Sequence, residues 1–320
     1  MRIMRLILSL LIVAACCQIA AAQSYPNRPL RFLVPYAAGG PTDIMARLVG
    51  QRITETWGQN VVIDNRAGAS GNIGTGLVLR SNPDGYTILV HSSAYVVNPS
   101  LYRNAGYDAV KSFAPIINAG ASPNMLYVHP SFPAHTLKDL IASARGKQLS
   151  YASPGIGTTP HLTVELLLKT MNKLDLSHVP YNGAAPALSA VLGGQLPIGC
   201  GAMPPLVALV KAGKLRAIAV TSLKRAASLP EVPTVAESGF PGYEDYTWIG
   251  FFAPAGTPRA IVDKLNTEMD KALQLPAVTE RLAVLAFDYT PNTPKQFAEY
   301  VGKEVVKWAK VVKDSGARAD

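Results

Sequence analysis

The chain has 320 residues, 48% of them apolar, with 30 Lys and Arg against 21 Asp and Glu and a formal charge of +9. That length and apolar content allow two domains of ordinary size, each with a full core. The basic residues are scattered rather than clustered, which reads as solubility and a general attraction for anions and excludes a nucleic-acid face.

Residues 1–22 read as a leader rather than as part of the fold. Arg2 and Arg5 make a basic start, Leu6 to Ala15 is an apolar run too short for a stable membrane anchor, and Ala20-Ala21-Ala22 offers small residues for cleavage. A competing signal, Val13-Ala14-Ala15-Cys16, has the form of a lipoprotein cleavage box that would place a lipid on Cys16. Either route exports the chain, and no later segment is apolar enough for a transmembrane helix. Cleavage after Ala22 removes Arg2 and Arg5, lowering the charge from +9 to +7, and leaves Cys200 without a disulfide partner. A buried small residue is the reading favoured for Cys200 over a nucleophile.

The stretch Leu30 to Val49 reads as a buried strand (Phe32, Leu33, Val34), a loop (Pro35 to Gly40) and a helix opened by Pro41. Ile44, Met45, Leu48 and Val49 give the helix an apolar stripe. First-turn N–H groups lack internal partners, the helix dipole adds positive charge, and Gly39 and Gly40 leave room for a ligand. Three readings stay open at this point: a structural turn, a phosphate loop and a carboxylate-binding loop. Val61-Val62-Ile63 is a short strand, followed by a polar loop, and Gly74 to Arg80 is read as a helix with Leu77 and Val78 inward. After the Asn82-Pro83-Asp84-Gly85 turn, a strand from Tyr86 to Val90 leads into His91-Ser92-Ser93-Ala94. Alternating strands and helices imply a parallel sheet, which gathers ligands at the C-terminal strand ends and puts Tyr36 to Thr42 and His91 to Ala94 on one edge.

Asn98 to Phe113 reads as loop, and Ile116 to His129 as a segment crossing into a second domain. Thr136 N-caps a helix to Ala144 with Leu137, Leu140 and Ile141 inward. A second strand–loop–helix unit runs from Leu149 to Met171, with the loop Ser153 to Thr159 and a helix from Pro160 that turns Leu162, Leu166 and Leu167 inward. A third runs from Ser177 to Gly194 through Tyr181, Asn182 and Gly183. Three such loops, split between two halves of the chain, would let a cleft grip a small anion from both sides with backbone donors. Lys214 to Thr221 is a further strand, and Tyr246 to Ala253 is an apolar strand expected to cross back to the first domain. Helices from Arg259 to Leu273 and from Pro294 to Val312 close the chain.

Motifs in order across nearly the whole mature length carry a resemblance to a known family. They are Tyr25-Pro26 with Arg28-Pro29, PYAAGGPTD at 35–43, GASGNIG at 68–74, PDGYT at 83–87, GIGTTPHL at 155–162 and VPYNGAAPAL at 179–188. The last are LPEVPTVAESGFPGYE at 229–244 and WIGFFAPAGTP at 248–258. The sequence resembles the substrate-binding proteins of tripartite tricarboxylate transporters, the Bug-type periplasmic receptors. The resemblance implies an α/β, bilobed type II periplasmic-binding-protein fold, its lobes joined by two crossing strands: lobe 1 at 23–125 and 247–320, lobe 2 at 126–246. It implies a periplasmic monomer that captures a small carboxylate and hands it to inner-membrane permease subunits. By motif matching, Tyr36, Ala37, Gly39, Gly40, Thr42 and Asp43 form the first-lobe carboxylate loop, joined at the shared edge by Ser92 and Ser93. Ser153, Gly155, Gly157, Thr158 and His161 form the second-lobe helix cap, and Tyr181, Asn182 and Gly183 line the same cleft. Asp43 is expected to cap its helix or orient a water, and His161 to pack behind the ligand rather than touch it.

The chain departs from the family pattern after Gly193-Gly194-Gln195, where Leu196 to Gly201 lacks two acidic positions usual in relatives. That change raises a bulkier or aromatic acid as ligand, with Tyr36, Tyr95 and Tyr181 as stacking surfaces. An enzyme on this scaffold has little to stand on: there is no Gly-x-Ser-x-Gly elbow, no cysteine pair and no HExxH. His91, His129, His135, His161 and His178 lack metal spacing. No cofactor is expected, and a receptor serving a signalling partner remains an alternative to transport.

Overall fold

The computed structural model describes residues 25–319; the expected leader and Cys16 lie outside the described residues. Strand β1 (Leu30–Val34) runs parallel between β2 (Val61–Asn65) and β3 (Thr87–Ser92). Its side chains alternate between the two faces of the sheet. Phe32 and Val34 join Ile88 and Val90 in one core, while Leu33 and Leu89 enter another. Helix α1 (Pro41–Trp57) covers the first face with Met45, Ala46, Val49 and Ile53. It starts where Pro41 cannot donate, and stops where left-handed Gly58 returns its N–H to Thr54 O. Helices α2 (Asn72–Leu79) and α3 (Ala94–Leu101) follow β2 and β3.

Strand β4 (Phe113–Val128) is long enough to serve both lobes. Up to Pro123 it pairs antiparallel with β9 (Tyr246–Pro254), which itself pairs with β3. From Asn124 it pairs with β7 (Ile198–Ala202) on one side and β8 (Arg216–Val220) on the other. Strands β5 (Leu149–Ser153) and β6 (Leu176–Pro180) extend that second sheet in parallel from β7. The strand order is therefore β2-β1-β3-β9-β4-β7-β5-β6, with β8 beside β4. Two further cores lie on the two faces of the second sheet. The result is a bilobed α/β binding fold in which β4 and β9 are the connections.

Caps explain the helix boundaries of the second lobe and the C-terminus. Thr136 and Asp139 form a reciprocal capping box at α4 (Leu137–Ala144). Helix α5 (Thr159–Val164) continues into a π-helical segment, Glu165–Met171. It is followed by α6 (Ala184–Leu192), α7 (Val207–Lys211), α8 (Arg259–Leu273) and α9 (Pro276–Val284). The last helix, α10 (Pro294–Ser315), has a Thr293–Gln296 capping box and Pro294 in its first turn. It is pinned to the crossing strand because the indoles of Trp248 and Trp308 both donate to Glu304 Oε2, at 3.1 and 2.8 Å.

Several expectations need correction. Leu77 is 38% exposed, because α2 turns Gly74 and Val78 to the sheet instead. The segment expected to be loop from Asn98 begins inside α3, which holds Pro99. Leu166 is only half-buried, since the π-helical segment that starts at Glu165 shifts the inward stripe to Leu167 and Leu168. Tyr95 is fully buried, with its ring stacked 4.3 Å from Phe252 and 5.2 Å from Tyr107, so it is core and not a stacking surface for a ligand.

Candidate functional site

The first rim of the cleft is the turn between β1 and α1. Gly39 adopts φ +84°, a left-handed conformation open to glycine. Ile44 N–H to Gly40 O, at 2.9 Å, is the first bond of the helix, so the N–H groups of Thr42 and Asp43 have no carbonyl behind them. The Asp43 carboxylate, 3% exposed, accepts from Gly39 N–H and Arg47 Nε, each at 2.9 Å, and from Asn65 Nδ2 at 3.0 Å. Burial raises its pKa, but the bonds from Arg47, Gly39 and Asn65 outweigh burial and hold it below the usual carboxylate range. Asn65 Nδ2 also donates to Tyr36 O at 3.1 Å. Asp43 is therefore a brace for the loop and not the expected helix cap: the N-cap residue is Gly40, and the carboxylate takes the N–H of Gly39 before it. The Tyr36 phenol lies 3.0 Å from Ser92 Oγ and is raised above its ordinary pKa by burial, so it stays neutral.

The second rim follows β5. Thr158 takes the N-cap position of α5, with its hydroxyl donating to Gly155 O at 2.7 Å. The Gly157 N–H donates to His161 Nδ1 at 3.2 Å, which places the His161 proton on Nε2. The His161 ring stacks on His178 at 4.1 Å, and His178 Nε2 meets Ser153 Oγ at 2.7 Å. Burial pulls both imidazoles down to a pKa of about 3, with Lys169 adding to the effect at His161 and His161 adding to it at His178. Both are neutral at ordinary pH, and His161 sits behind the loop and does not line the cavity between the lobes.

The third loop brings the lobes together. Asn182 O accepts from Ala37 N–H at 2.9 Å, across the cleft. Gly183, with φ +137°, begins α6 at a point where a Cβ would sit 3.0 Å from Ala37 N. A Cβ at Gly155 would lie 2.9 Å from Ser70 Oγ, and one at Gly157 only 2.7 Å from Leu101. Glycines thus allow the two rims to meet, and the lobes are closed on each other.

Between them lies a small cavity of about 30 Å³. Tyr36, Gly40, Pro41, Thr42 and Ser92 line it from the first lobe, and Pro154, Thr158, Thr159, Pro160, Ala184 and Ala202 from the second. Thr247 comes from crossing strand β9. No charged side chain is among these residues. Of the residues expected at the site, Tyr36, Gly40, Thr42, Ser92 and Thr158 face the cavity. Ala37, Gly39, Gly155, Gly157, Asn182 and Gly183 lie where the lobes touch, while Asp43, Ser153 and His161 brace the loops. Tyr181 packs partly against the second-lobe core, and Ser93 reaches Thr159 Oγ1 at 3.4 Å. Thr159, Thr247, Ala184 and Ala202 went unnoticed in sequence, although a lone threonine in the apolar run Tyr246 to Ala253 was a signal.

Beneath the cavity a buried polar network ties both lobes to the crossing strands. Thr247 Oγ1 donates to Asn124 Oδ1 at 2.7 Å and lies 2.6 Å from Thr159 Oγ1. Asn124 Nδ2 donates to Asp245 Oδ2 at 2.8 Å, and Thr163 Oγ1 reaches the same oxygen at 2.6 Å. Burial pushes the Asp245 carboxyl up to about 7, against the bonds from Thr163 and Asn124. Cys200 is fully buried in the second-lobe core, and burial raises its thiol well above the ordinary range.

Comparison with known proteins agrees with this architecture. Residues 45–317 match the model of the tripartite tricarboxylate transporter family receptor. The chain is 36% identical to the protein BugT of Bordetella pertussis over 326 aligned positions, covering 99% of each. An R. palustris protein solved with adipate superposes with a TM-score of 0.89 at 37% identity, over 92% of this chain and 99% of that one. MatC from Rhodopseudomonas palustris, solved with bound malate, gives 0.86 at 32% identity, over 90% of this chain and all of the other. Among the described residues no helix is long and apolar enough to cross a membrane. The chain belongs to the tripartite tricarboxylate transporter receptor family, as a solute-binding protein of the Bug type.

Proposed function

We propose that this protein captures a small carboxylate between its lobes in the periplasm and delivers it, without turnover, to the permease subunits of a tripartite tricarboxylate-type transporter. The observation that carries this reading is the cavity itself. Three helix N-termini, those of α1, α5 and α6, border a space with no charged side chain. Backbone N–H groups and helix dipoles are suited to a carboxylate and need no arginine. The bound ligands of the two R. palustris relatives, adipate and malate, are of this class. Tyr36 adds one aromatic wall, which suits an aromatic acid in the same chemistry.

The test is a thermal-shift screen of the purified protein against mono- and dicarboxylates, aliphatic and aromatic. At about 100 times the dissociation constant a ligand adds roughly 2.7 kcal/mol to native stability, worth about 4 °C in a chain of this size. At least one acid giving such a shift, with the acid recovered unchanged, is the expected result. A flat response to every acid overturns the reading.

A further inference from the structure

The hydroxyls under the cavity have their protons committed away from it. Asp245 Oδ2 accepts from Asn124 Nδ2 at 2.8 Å, so the Asn124 side chain presents its NH₂ group to Asp245 and its carbonyl oxygen to Thr247. That oxygen carries no hydrogen. Thr247 therefore spends its single hydroxyl proton on Asn124, at 2.7 Å. Thr159, 2.6 Å from Thr247, then has to be the donor in their contact. The Thr159 oxygen in turn accepts from Asn124 Nδ2 at 3.3 Å and from Ser93 Oγ at 3.4 Å. Thr247 Oγ1 keeps one lone pair that none of these bonds uses, and Thr247 lines the cavity. A ligand oxygen without hydrogen, brought to that point, meets lone pair against lone pair; a hydroxyl or ammonium group meets an acceptor.

Resting on the carboxylate reading above, we propose that the cavity selects carboxylates bearing a hydrogen-bond donor, a hydroxyl or an amino group, directed at Thr247, with Asn124 and Asp245 as the positioning residues that fix this polarity. The carboxylate lies toward the helix N-termini and the donor toward the crossing strands. The sequence departure after Gln195 fits the same division of labour. The strand end there supplies only Ala202 to the cavity, so the polar contact on this side falls to Thr159 and Thr247.

The experiment is calorimetric titration of the purified protein with series that share one carbon frame: succinate, malate and aspartate, then propionate, lactate and alanine. In at least one series the hydroxy or amino member should bind about tenfold or more tightly than the plain acid, since a buried acceptor left unpaired is costly. Thr247→Val, which keeps the shape and removes the acceptor, should bring the ratio to within about twofold, and Thr247→Ser should restore it. A ratio restored by serine and lost in valine is not what a merely structural role would give. Plain acids binding as well as their substituted partners in the wild type would overturn this inference while leaving the carboxylate reading intact. The same holds for a ratio that survives in Thr247→Val. No binding by any member strikes the carboxylate reading, and this inference with it.

Discussion

The two rims of the cleft offer a ligand the same thing, backbone N–H groups at a helix start, yet they are held in place by opposite means. The first-lobe rim is braced by charge: the Asp43 carboxylate takes Gly39 N–H, Arg47 and Asn65. The second-lobe rim is braced by neutral rings, with His161 receiving Gly157 N–H and stacking on His178, which holds Ser153. Charge serves the first rim because Arg47 lies at the surface and pairs with a carboxylate inside. Neutrality serves the second because its imidazoles are buried, where a charge would be unfavourable. A positive imidazolium is therefore not what would attract a carboxylate to the second rim. The helix ends do that on both sides, and the braces only keep them aimed.

The largest effect should come from removing the charged brace. Asp43→Ala leaves Gly39 N–H without its acceptor, takes from Asn65 Nδ2 one of its two acceptors and removes the carboxylate paired with Arg47. A loss of about 3 kcal/mol in unfolding free energy is expected, read by chemical denaturation, together with weaker ligand binding. Asp43→Asn keeps the shape and an acceptor oxygen, and should recover part of the stability. If Asp43→Ala unfolds like the wild type, the loop is held by something other than this carboxylate.

The neutral brace should yield to acid before the charged one. The folded pKa of His161 lies near 3, below the ordinary value of 6.5, so the folded state binds fewer protons than the unfolded state between those limits. Stability from this source is full above about pH 6.5 and is lost as pH falls. The loss amounts to on the order of 2 kcal/mol by pH 5 for one such ring. Asp245 acts in the opposite sense, since its raised pKa makes the folded state lose stability as pH rises from about 4 to 7. The histidine contribution is thus isolated by comparing wild type with His161→Asn, whose amide oxygen can still accept from Gly157 and never charges. Between pH 7 and pH 5 the difference should move by about 2 kcal/mol in favour of the variant. A constant difference would mean that His161 titrates normally and that the second rim is not braced by a neutral ring.

What could be read in the sequence follows the range of the interaction. Each rim is a local unit: a short apolar strand, a glycine-bearing loop and a helix opened by proline lie within about a dozen residues of each other. The Asp43 brace is just as local, reaching back only four positions to Gly39, although the sequence points to a helix cap instead. The floor of the cavity was not legible. Thr247 meets Asn124 across 123 positions and Thr159 across 88, through strand pairings such as Ser122 with Thr247. Aromatic residues mislead in the same way. Tyr36 and Tyr95 look equally available in sequence, but Tyr95 lies in a helix whose partners, Tyr107 and Phe252, bury it. Close packing is equally hidden in the sequence: Gly199 has Tyr127 packed where a Cβ would be, with the nearest ring atom at 2.4 Å.

The smallest of these effects concerns where the rims meet rather than how each is braced. The contact between Ala37 N–H and Asn182 O joins the lobes, and it needs Gly183 bare. Gly183→Ala would place a methyl 3.0 Å from the Ala37 nitrogen and 3.3 Å from the Ala37 methyl, on a backbone with φ +137° that an alanine rarely adopts. In the open state the first of these penalties vanishes, because the two loops are apart; the second remains in both states. The substitution should therefore lower ligand affinity through the closed state alone, by about tenfold, on top of a loss of stability common to both states. Titration of the variant with any acid that shifts the wild type, alongside its melting temperature without ligand, separates the two contributions. A variant that melts lower but binds as tightly as the wild type would show that closure tolerates the methyl, and that the rims are brought together by the ligand and not by a close fit of glycine against the opposite loop.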